Sequence, residues 1–191
     1  MSYRTILSVF LFLGLLAGAG ILLLVVKQGE KLPMPLVEET QPAAIADDSL
    51  LAIAREVITA AGNCALITRD ERGRPAIRAM DPFPPQDGLV VWLGTNVHSR
   101  KVAQIRANPR ASLYYFDKAG GSYLTLVGTA RIVEDPAQIS HYWKPEWEAF
   151  YPDKRDYVLI KFIPERLEII SEKHGITGDP QTWRAGVYRL P

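Results

Sequence analysis

The sequence predicts a mainly β protein: a small antiparallel barrel of about six strands with short flanking helices, preceded by one N-terminal transmembrane helix. Three observations carry that expectation. A single uncharged run, Ile6 to Val26, spans 21 residues with Ser8 as its only hydroxyl. Behind it, apolar segments of strand length alternate with turn-rich connections, so hairpins dominate. Strands do not alternate regularly with long helices, which argues against a doubly wound parallel sheet.

As a helix, the apolar run reaches roughly 31 Å, about one hydrocarbon core. A cleaved signal peptide competes with this, because Arg4 is a weak basic start and Ala17-Gly18-Ala19 resembles a cleavage site. Cutting there leaves the apolar stretch Gly20 to Val26 on the mature chain, and the run exceeds the roughly 7–15 residues of a signal core. A retained anchor through residues 6–26 is therefore favoured, with secretion after cleavage as the alternative. Arg4 lies on one side and Lys27 and Lys31 on the other, so the positive-inside count is near a tie. The short N-terminal tail then points to an extracytoplasmic domain.

The first unit is thus 1–26. Residues 27–47 follow as a tether stiffened by Pro33, Pro35 and Pro42 and carrying Glu30, Glu38 and Glu39. The domain opens at 48. Asp47, Asp48 and Ser49 are capping residues, and Leu50, Leu51, Ile53, Ala54, Val57, Ile58 and Ala61 recur at helical spacing up to Gly62-Asn63. Cys64 to Arg69 and Pro75 to Met80 flank Asp70 to Arg74 as a hairpin. An apolar run follows from Gly88 to Gly94, then a short helix from Ser99 to Ala107 and a strand from Ala111 to Phe116. Ser122 to Val133 is the longest strand, with a bulge or bend at Gly128. Asp135-Pro136 starts a helix that runs to about Phe150. Tyr157 to Ile163 and Leu167 to Ser171 are two strands around Pro164, closing a domain of 48–172. Residues 173–191 form an irregular tail that packs on the barrel.

Charge and cysteine content narrow the function. Lys+Arg is 22 and Asp+Glu is 21, a formal net charge of +1, which excludes a generally basic nucleic-acid binder. An apolar content of 48% excludes a charged disordered chain. Cys64 is alone, so no intrachain disulfide forms, and its apolar run makes it a structural thiol. His98, His141 and His174 are far apart, so no metal site is expected.

The segment Trp92-Leu-Gly-Thr-Asn-Val-His-Ser-Arg-Lys101 carries the chemistry. A strand ends at Gly94-Thr95 and a helix starts near Ser99, with Arg100 and Lys101 in its first turn. That end of a helix is partially positive, and a cation there costs about 0.3–1 kcal/mol. Two readings satisfy these residues. One is a phosphate held by free amides, the Thr95 and Ser99 hydroxyls, a guanidinium and an ammonium. The other is a solvated basic turn. Arg78-Ala-Met-Asp-Pro-Phe83 ends the preceding strand, and its proline-rich exit, Pro82 to Pro85, leaves backbone groups unpaired. Tyr142, Trp143, Trp147, Phe150 and Tyr151 read as core or dimer interface. No Ser/His/Asp arrangement, Walker loop or paired-carboxylate motif is present.

Taken in order, the Arg-x-Met strand end, Trp-Leu-Gly-Thr, Ser-Arg-Lys, Asn108-Pro109, Leu113-Tyr-Tyr-Phe116 and Val127-Gly-Thr-Ala-Arg-Ile-Val133 resemble the pyridoxamine 5'-phosphate oxidase-like FMN-binding split barrels, in particular their general-stress-protein branch. The resemblance covers roughly residues 50 to 172. It implies a six-stranded split barrel, a homodimer with the cofactor at the interface, and FMN as cofactor, with deazaflavin or haem as alternatives. Arg100 and Lys101 would hold the phosphate with Thr95 and Ser99 assisting. Arg78, Ala79 and Met80 would line the flavin. Tyr123 matches a position from which the second subunit approaches the ring, and Trp183 is a stackable side chain for the same pocket. The family's Arg-x-His ending is replaced by Arg184-Ala185-Gly186, which argues against oxidation of pyridoxamine phosphate itself. The expected function is a membrane-tethered flavin-dependent oxidoreductase of unassigned substrate; the alternative is a non-catalytic flavin or haem carrier or sensor.

Overall fold

The structure is a computed structural model that describes residues 44–190. It starts on a two-residue strand, β1 (Ala44–Ile45), followed by α1 (Asp48–Ala61). Helix α1 begins where the Asp47 carboxylate accepts the Leu50 N–H at 2.8 Å. It ends at Gly62, whose φ of 69° suits a residue without a β-carbon. Its Ala54, Val57 and Ile58 are buried against the sheet.

The predicted hairpin forms between β2 (Cys64–Arg69) and β3 (Pro75–Met80). Asp70 locks its turn, accepting the N–H groups of Arg72 and Arg74 at 2.9 Å each. The remaining elements are β4 (Val91–Asn96), α2 (Arg100–Ala107), β5 (Arg110–Asp117), β6 (Ser122–Val133), α3 (Pro136–His141), β7 (Tyr157–Ser171) and β8 (Gly186–Arg189). The sheet runs β1-β8-β7-β6-β5-β2-β3, with β4 on β7. Every pairing is antiparallel except β1 with β8. The sheet curls until the chain leaving β3 meets β4: Pro82 bridges Leu93, and the Phe83 N–H reaches the Trp92 carbonyl at 2.9 Å. Six antiparallel strands, β3-β2-β5-β6-β7-β4, therefore enclose a core of Leu66, Leu93, Leu113, Tyr115, Leu124, Leu126, Phe162 and Leu167.

Four expectations need correction. The two strands around Pro164 are one 15-residue strand, β7. Proline is tolerated because the β6–β7 register shifts at Val127/Gly128, so its missing donor falls at a bulge. Gly128 is required there, since a β-carbon would lie 2.7 Å from the Pro164 Cα. The helix expected to reach Phe150 stops at His141, because Pro145 forces Lys144 into extended backbone (φ −103°, ψ 123°) and a separate 3₁₀ segment spans Pro145–Phe150. The tail is not irregular throughout, because β8 joins β7. Strand β1 and the Asp47 cap fall inside the stretch read as tether.

Among the described residues, no helix is long and apolar enough to cross a membrane. The run 6–26, and the tether up to residue 43, lie outside the described residues.

Candidate functional site

Strand β4 and helix α2 meet in a short turn that concentrates polar groups. Asn96 Oδ1 accepts the His98 N–H at 2.8 Å, and the Ser99 N–H bonds the Asn96 carbonyl at 3.0 Å. Ser99 is the N-cap of α2, yet its hydroxyl makes no capping bond. That hydroxyl lies 3.4 Å from Thr95 Oγ1 instead. Thr95 is buried, and its Oγ1 accepts from Lys101 Nζ at 3.0 Å. In the first turn of α2 the Val102 N–H bonds the Ser99 carbonyl at 3.0 Å, which leaves the Arg100 and Lys101 amides without an acceptor in the helix.

Arg78 enters the same corner from β3. Its Nη1 donates to Thr68 Oγ1 at 2.7 Å and to the carbonyls of Ala76 and Leu66 at 2.9 and 3.3 Å. Its Nη2 donates to Gln104 Oε1 at 2.7 Å. Burial depresses the Arg78 pKa, and the charge of Arg100 adds to that. Burial likewise lowers the Lys101 pKa, with Arg78 as the second cause. Three cations thus sense one another, yet no carboxylate lies within 4.0 Å of any of them among the described residues. Like charges gathered and partly desolvated without a counter-ion are unfavourable unless an anion completes the set.

The other predicted residues spread over both faces of the sheet. Directly paired residues share a face. Met80 pairs with buried Cys64 and packs on the core. Ala79 pairs with Ala65 and Ala65 with Tyr114, on the outer face. Tyr123 is on that outer face too, its ring 6.0 Å from Tyr114. The tail packs on the barrel through β8, Ile176, Tyr188 and Leu190, but Trp183 stands out from it. It is 85% exposed at φ 61°, at the end of a turn pinned by Asp179, which accepts the Thr182 N–H and hydroxyl at 2.7 and 2.8 Å. One chain therefore assembles Arg78, Thr95, Ser99, Arg100 and Lys101 and leaves Ala79, Tyr123 and Trp183 elsewhere.

Tyr142, Trp143, Trp147 and Tyr151 join Trp92 and Tyr157 in a second core, while Phe150 is exposed. Trp92 stacks on Tyr142 with centroids 4.6 Å apart, and the Tyr157 hydroxyl donates to the Tyr142 carbonyl at 2.6 Å. Gly94 leaves room for it: a β-carbon there would stand 2.6 Å from the Tyr157 ring and would overlap Trp147 as well. Lys144 ties this segment to the β3 exit through Asp81 at 2.7 Å. Cys64 is buried, and burial pushes its thiol up to about 12, which fits an inert packing residue.

Thr68 and Gln104 complete the corner without belonging to any motif. Gln104 follows Arg100 by four positions and Lys101 by three, so the three share a helix face, and that spacing was the available signal.

The profile of the pyridoxamine 5'-phosphate oxidase like family matches residues 51–175. The chain belongs to that family. Among solved structures, it is similar to a Clostridium acetobutylicum protein related to general stress protein 26 of B. subtilis, with 25% identity and a TM-score of 0.62 over 75% of this chain and 96% of that one. It shares the fold of a pyridoxamine 5'-phosphate oxidase-related, FMN-binding protein from Nostoc punctiforme (16% identity, TM-score 0.55, 76% and 98% covered). It also shares the fold of a haem-binding protein from Mycobacterium smegmatis (19% identity, TM-score 0.50, 61% and 52% covered). No curated protein matches the chain. Proteins that share this fold thus include one named as FMN-binding and one named as haem-binding.

Proposed function

We propose that this oxidase-like domain binds FMN, with the phosphate at the head of α2, and acts as a flavin-dependent oxidoreductase anchored through residues 6–26 on the extracytoplasmic side of a membrane. The observation that carries the reading is the set Arg78, Arg100 and Lys101, of which Arg78 and Lys101 are half-buried and Arg100 is exposed, with no carboxylate within 4.0 Å among the described residues. Thr95 and Ser99 add hydroxyls, and the first turn of α2 adds amides, a donor set matched to a phosphate. Bound there, the isoalloxazine supplies hydride or electron transfer. The chain's part is to fix the phosphate and aim the ring along the β3 backbone at Arg78, Ala79 and Met80. Without an Arg-x-His ending, pyridoxamine phosphate is not the proposed substrate.

A homodimer completes the reading. Ile77, Phe116 and Tyr114, on the outer face of the sheet, are 68%, 55% and 37% exposed. A second copy would cover them, and Tyr123 and Trp183 would reach a flavin only from that neighbouring copy. Ile77→Asp with Phe116→Asp is expected to give monomers by sedimentation and weaker FMN binding; unchanged dimers would remove this part.

The decisive experiment titrates full-length, detergent-extracted protein with FMN and with riboflavin, which lacks the phosphate. About a hundredfold preference for FMN is expected from charge-assisted phosphate contacts. Equal affinities would overturn the phosphate assignment, and a Soret band in place of flavin absorption would reassign the pocket to haem. Bleaching by a reductant and recovery in air support an oxidoreductase; a bound flavin that never turns over supports a carrier. Retention in the membrane pellet after an alkaline carbonate wash is expected, and release would remove the anchor.

A further inference from the structure

We propose that Gln104 is a positioning residue of the cation corner: its amide oxygen clamps Arg78 and Thr68 without neutralising the guanidinium, which keeps the corner able to take an anion. This rests on the phosphate reading above.

The hydrogen bonds assign themselves. Arg78 can only donate, so the group facing Nη2 at 2.7 Å is the Gln104 oxygen. Thr68 Oγ1 accepts from Arg78 Nη1 at 2.7 Å, so its own proton goes to Gln104 Oε1 at 2.6 Å. Three side chains from β2, β3 and α2 close a triangle: Arg78 to Thr68, Thr68 to Gln104, and Arg78 to Gln104. Thr68 is 1% exposed, so this anchor cannot exchange freely with water. With the Ala76 and Leu66 carbonyls, Arg78 has four acceptors and no anionic one. The guanidinium is therefore fixed in place while its charge stays available.

A glutamate at position 104 has the same length and accepts the same bonds. It would hold Arg78 more strongly, because a carboxylate adds ion-pair attraction to a hydrogen bond that the amide makes only from the guanidinium's charge. It would also relieve the repulsion among Arg78, Arg100 and Lys101. A residue chosen for stability alone would thus be Glu. The amide gives the same clamp but leaves the local charge for a ligand, a trade of stability for binding.

The test compares full-length wild type with Gln104→Glu and Gln104→Leu, by thermal melting without ligand and by titration with FMN and riboflavin. Gln104→Glu is expected to melt at a higher temperature and to bind FMN about thirtyfold more weakly, as expected when a buried charge is compensated in place. Riboflavin affinity should stay within about twofold, because the ring contacts are untouched. Gln104→Leu should melt lower and lose FMN affinity to a smaller degree, since Arg78 loses its clamp but keeps its charge. A Gln104→Glu protein with an unchanged ratio of FMN to riboflavin affinity would show that Gln104 is structural only, with the phosphate reading intact. Wild-type protein that does not distinguish FMN from riboflavin would overturn the phosphate reading and this inference with it.

Discussion

The two ends of α2 carry cations under opposite conditions. At the C-terminal end, Arg106 sits where the helix dipole favours positive charge and pairs with Glu134. At the N-terminal end, Arg100 and Lys101 sit where the dipole disfavours it, beside Arg78, with no carboxylate within 4.0 Å among the described residues. The first arrangement is what an exposed helix does for itself. The second is locally unfavourable by dipole and by like charge, and for Lys101 and Arg78 by desolvation as well. A feature unfavourable in the isolated chain at a strand–helix junction is a better guide to a ligand than the number of charges nearby.

The largest expected effect tests that contrast directly. Arg100→Ala with Lys101→Ala should lower FMN affinity by about a hundredfold and leave riboflavin binding unchanged, as two lost charge-assisted contacts predict. The melting temperature should hold or rise slightly, because a repulsive pair is removed. Arg106→Ala should do the reverse: FMN affinity within about twofold, and a stability loss of at most about 0.5 kcal/mol for an exposed pair. Isothermal titration and melting of the three proteins check both halves, and similar FMN losses at both ends of the helix would dissolve the distinction.

A second contrast lies between this open corner and the filled aromatic region beside it. Thr95 and Gly94 are neighbours on β4, but Thr95 faces the cations and Gly94 faces Trp147 and Tyr157. Gly94→Val inserts methyls where a β-carbon already stands 2.6 Å from the Tyr157 ring, and should cost about 1–3 kcal/mol of stability. Chemical denaturation measures it. A neutral result would mean that the 141–151 segment shifts without cost and is a movable cover, not a second core.

The fold was largely legible in the residues because its punctuation is local. Asp47 and Gly62 bound α1, Asp70 and Gly73 turn the hairpin, and Gly128 marks the bulge. What failed was non-local or a matter of weighing two signals. Pro164 looked like a break, but its partner strand shifts register at the same point, which only pairing reveals. Pro145 is a helix stop inside a stretch whose aromatic spacing imitates a helix through Phe150. Strand β8 is four residues long and owes its existence to a free stretch of β7 edge. In the site, Arg100 and Lys101 stood out because a helix start makes cations anomalous. Thr68 and Gln104 did not, because their part depends on Arg78 arriving from another strand.

The depressed Lys101 pKa gives a pH test with two opposite signs. In the folded, ligand-free protein the charged form is disfavoured, so stability contributed by this group rises as pH climbs from the lowered folded pKa toward the ordinary value of about 10.4. FMN affinity should fall over the same alkaline window, because the ammonium is lost just where the phosphate needs it. The comparison with Lys101→Met isolates the group from other titrations: the difference between the two proteins in FMN affinity should shrink as pH rises. A difference constant up to pH 10 would mean that Lys101 acts through packing and not through charge.

The smallest expected effect concerns the ring end. Trp183 is 85% exposed in one chain, so Trp183→Ala should leave the ligand-free melting temperature unchanged within about 0.5 kcal/mol. If the indole meets the flavin of the neighbouring copy, the same variant should weaken FMN and riboflavin equally, by severalfold, matching about 0.5–1.5 kcal/mol for a stacked aromatic pair. Equal losses separate a ring contact from the phosphate contacts of Arg100 and Lys101, which only FMN senses. Flavin fluorescence adds a second readout, because removing a stacked indole should brighten the bound ring. Trp183→Gly sharpens the point, since glycine accepts the 61° φ that costs a tryptophan about 1 kcal/mol. That variant should equal or exceed wild type in stability while binding flavin as poorly as Trp183→Ala. Unchanged flavin affinity in both variants would take Trp183 out of the site and leave the corner at α2 as the whole of the recognisable contact.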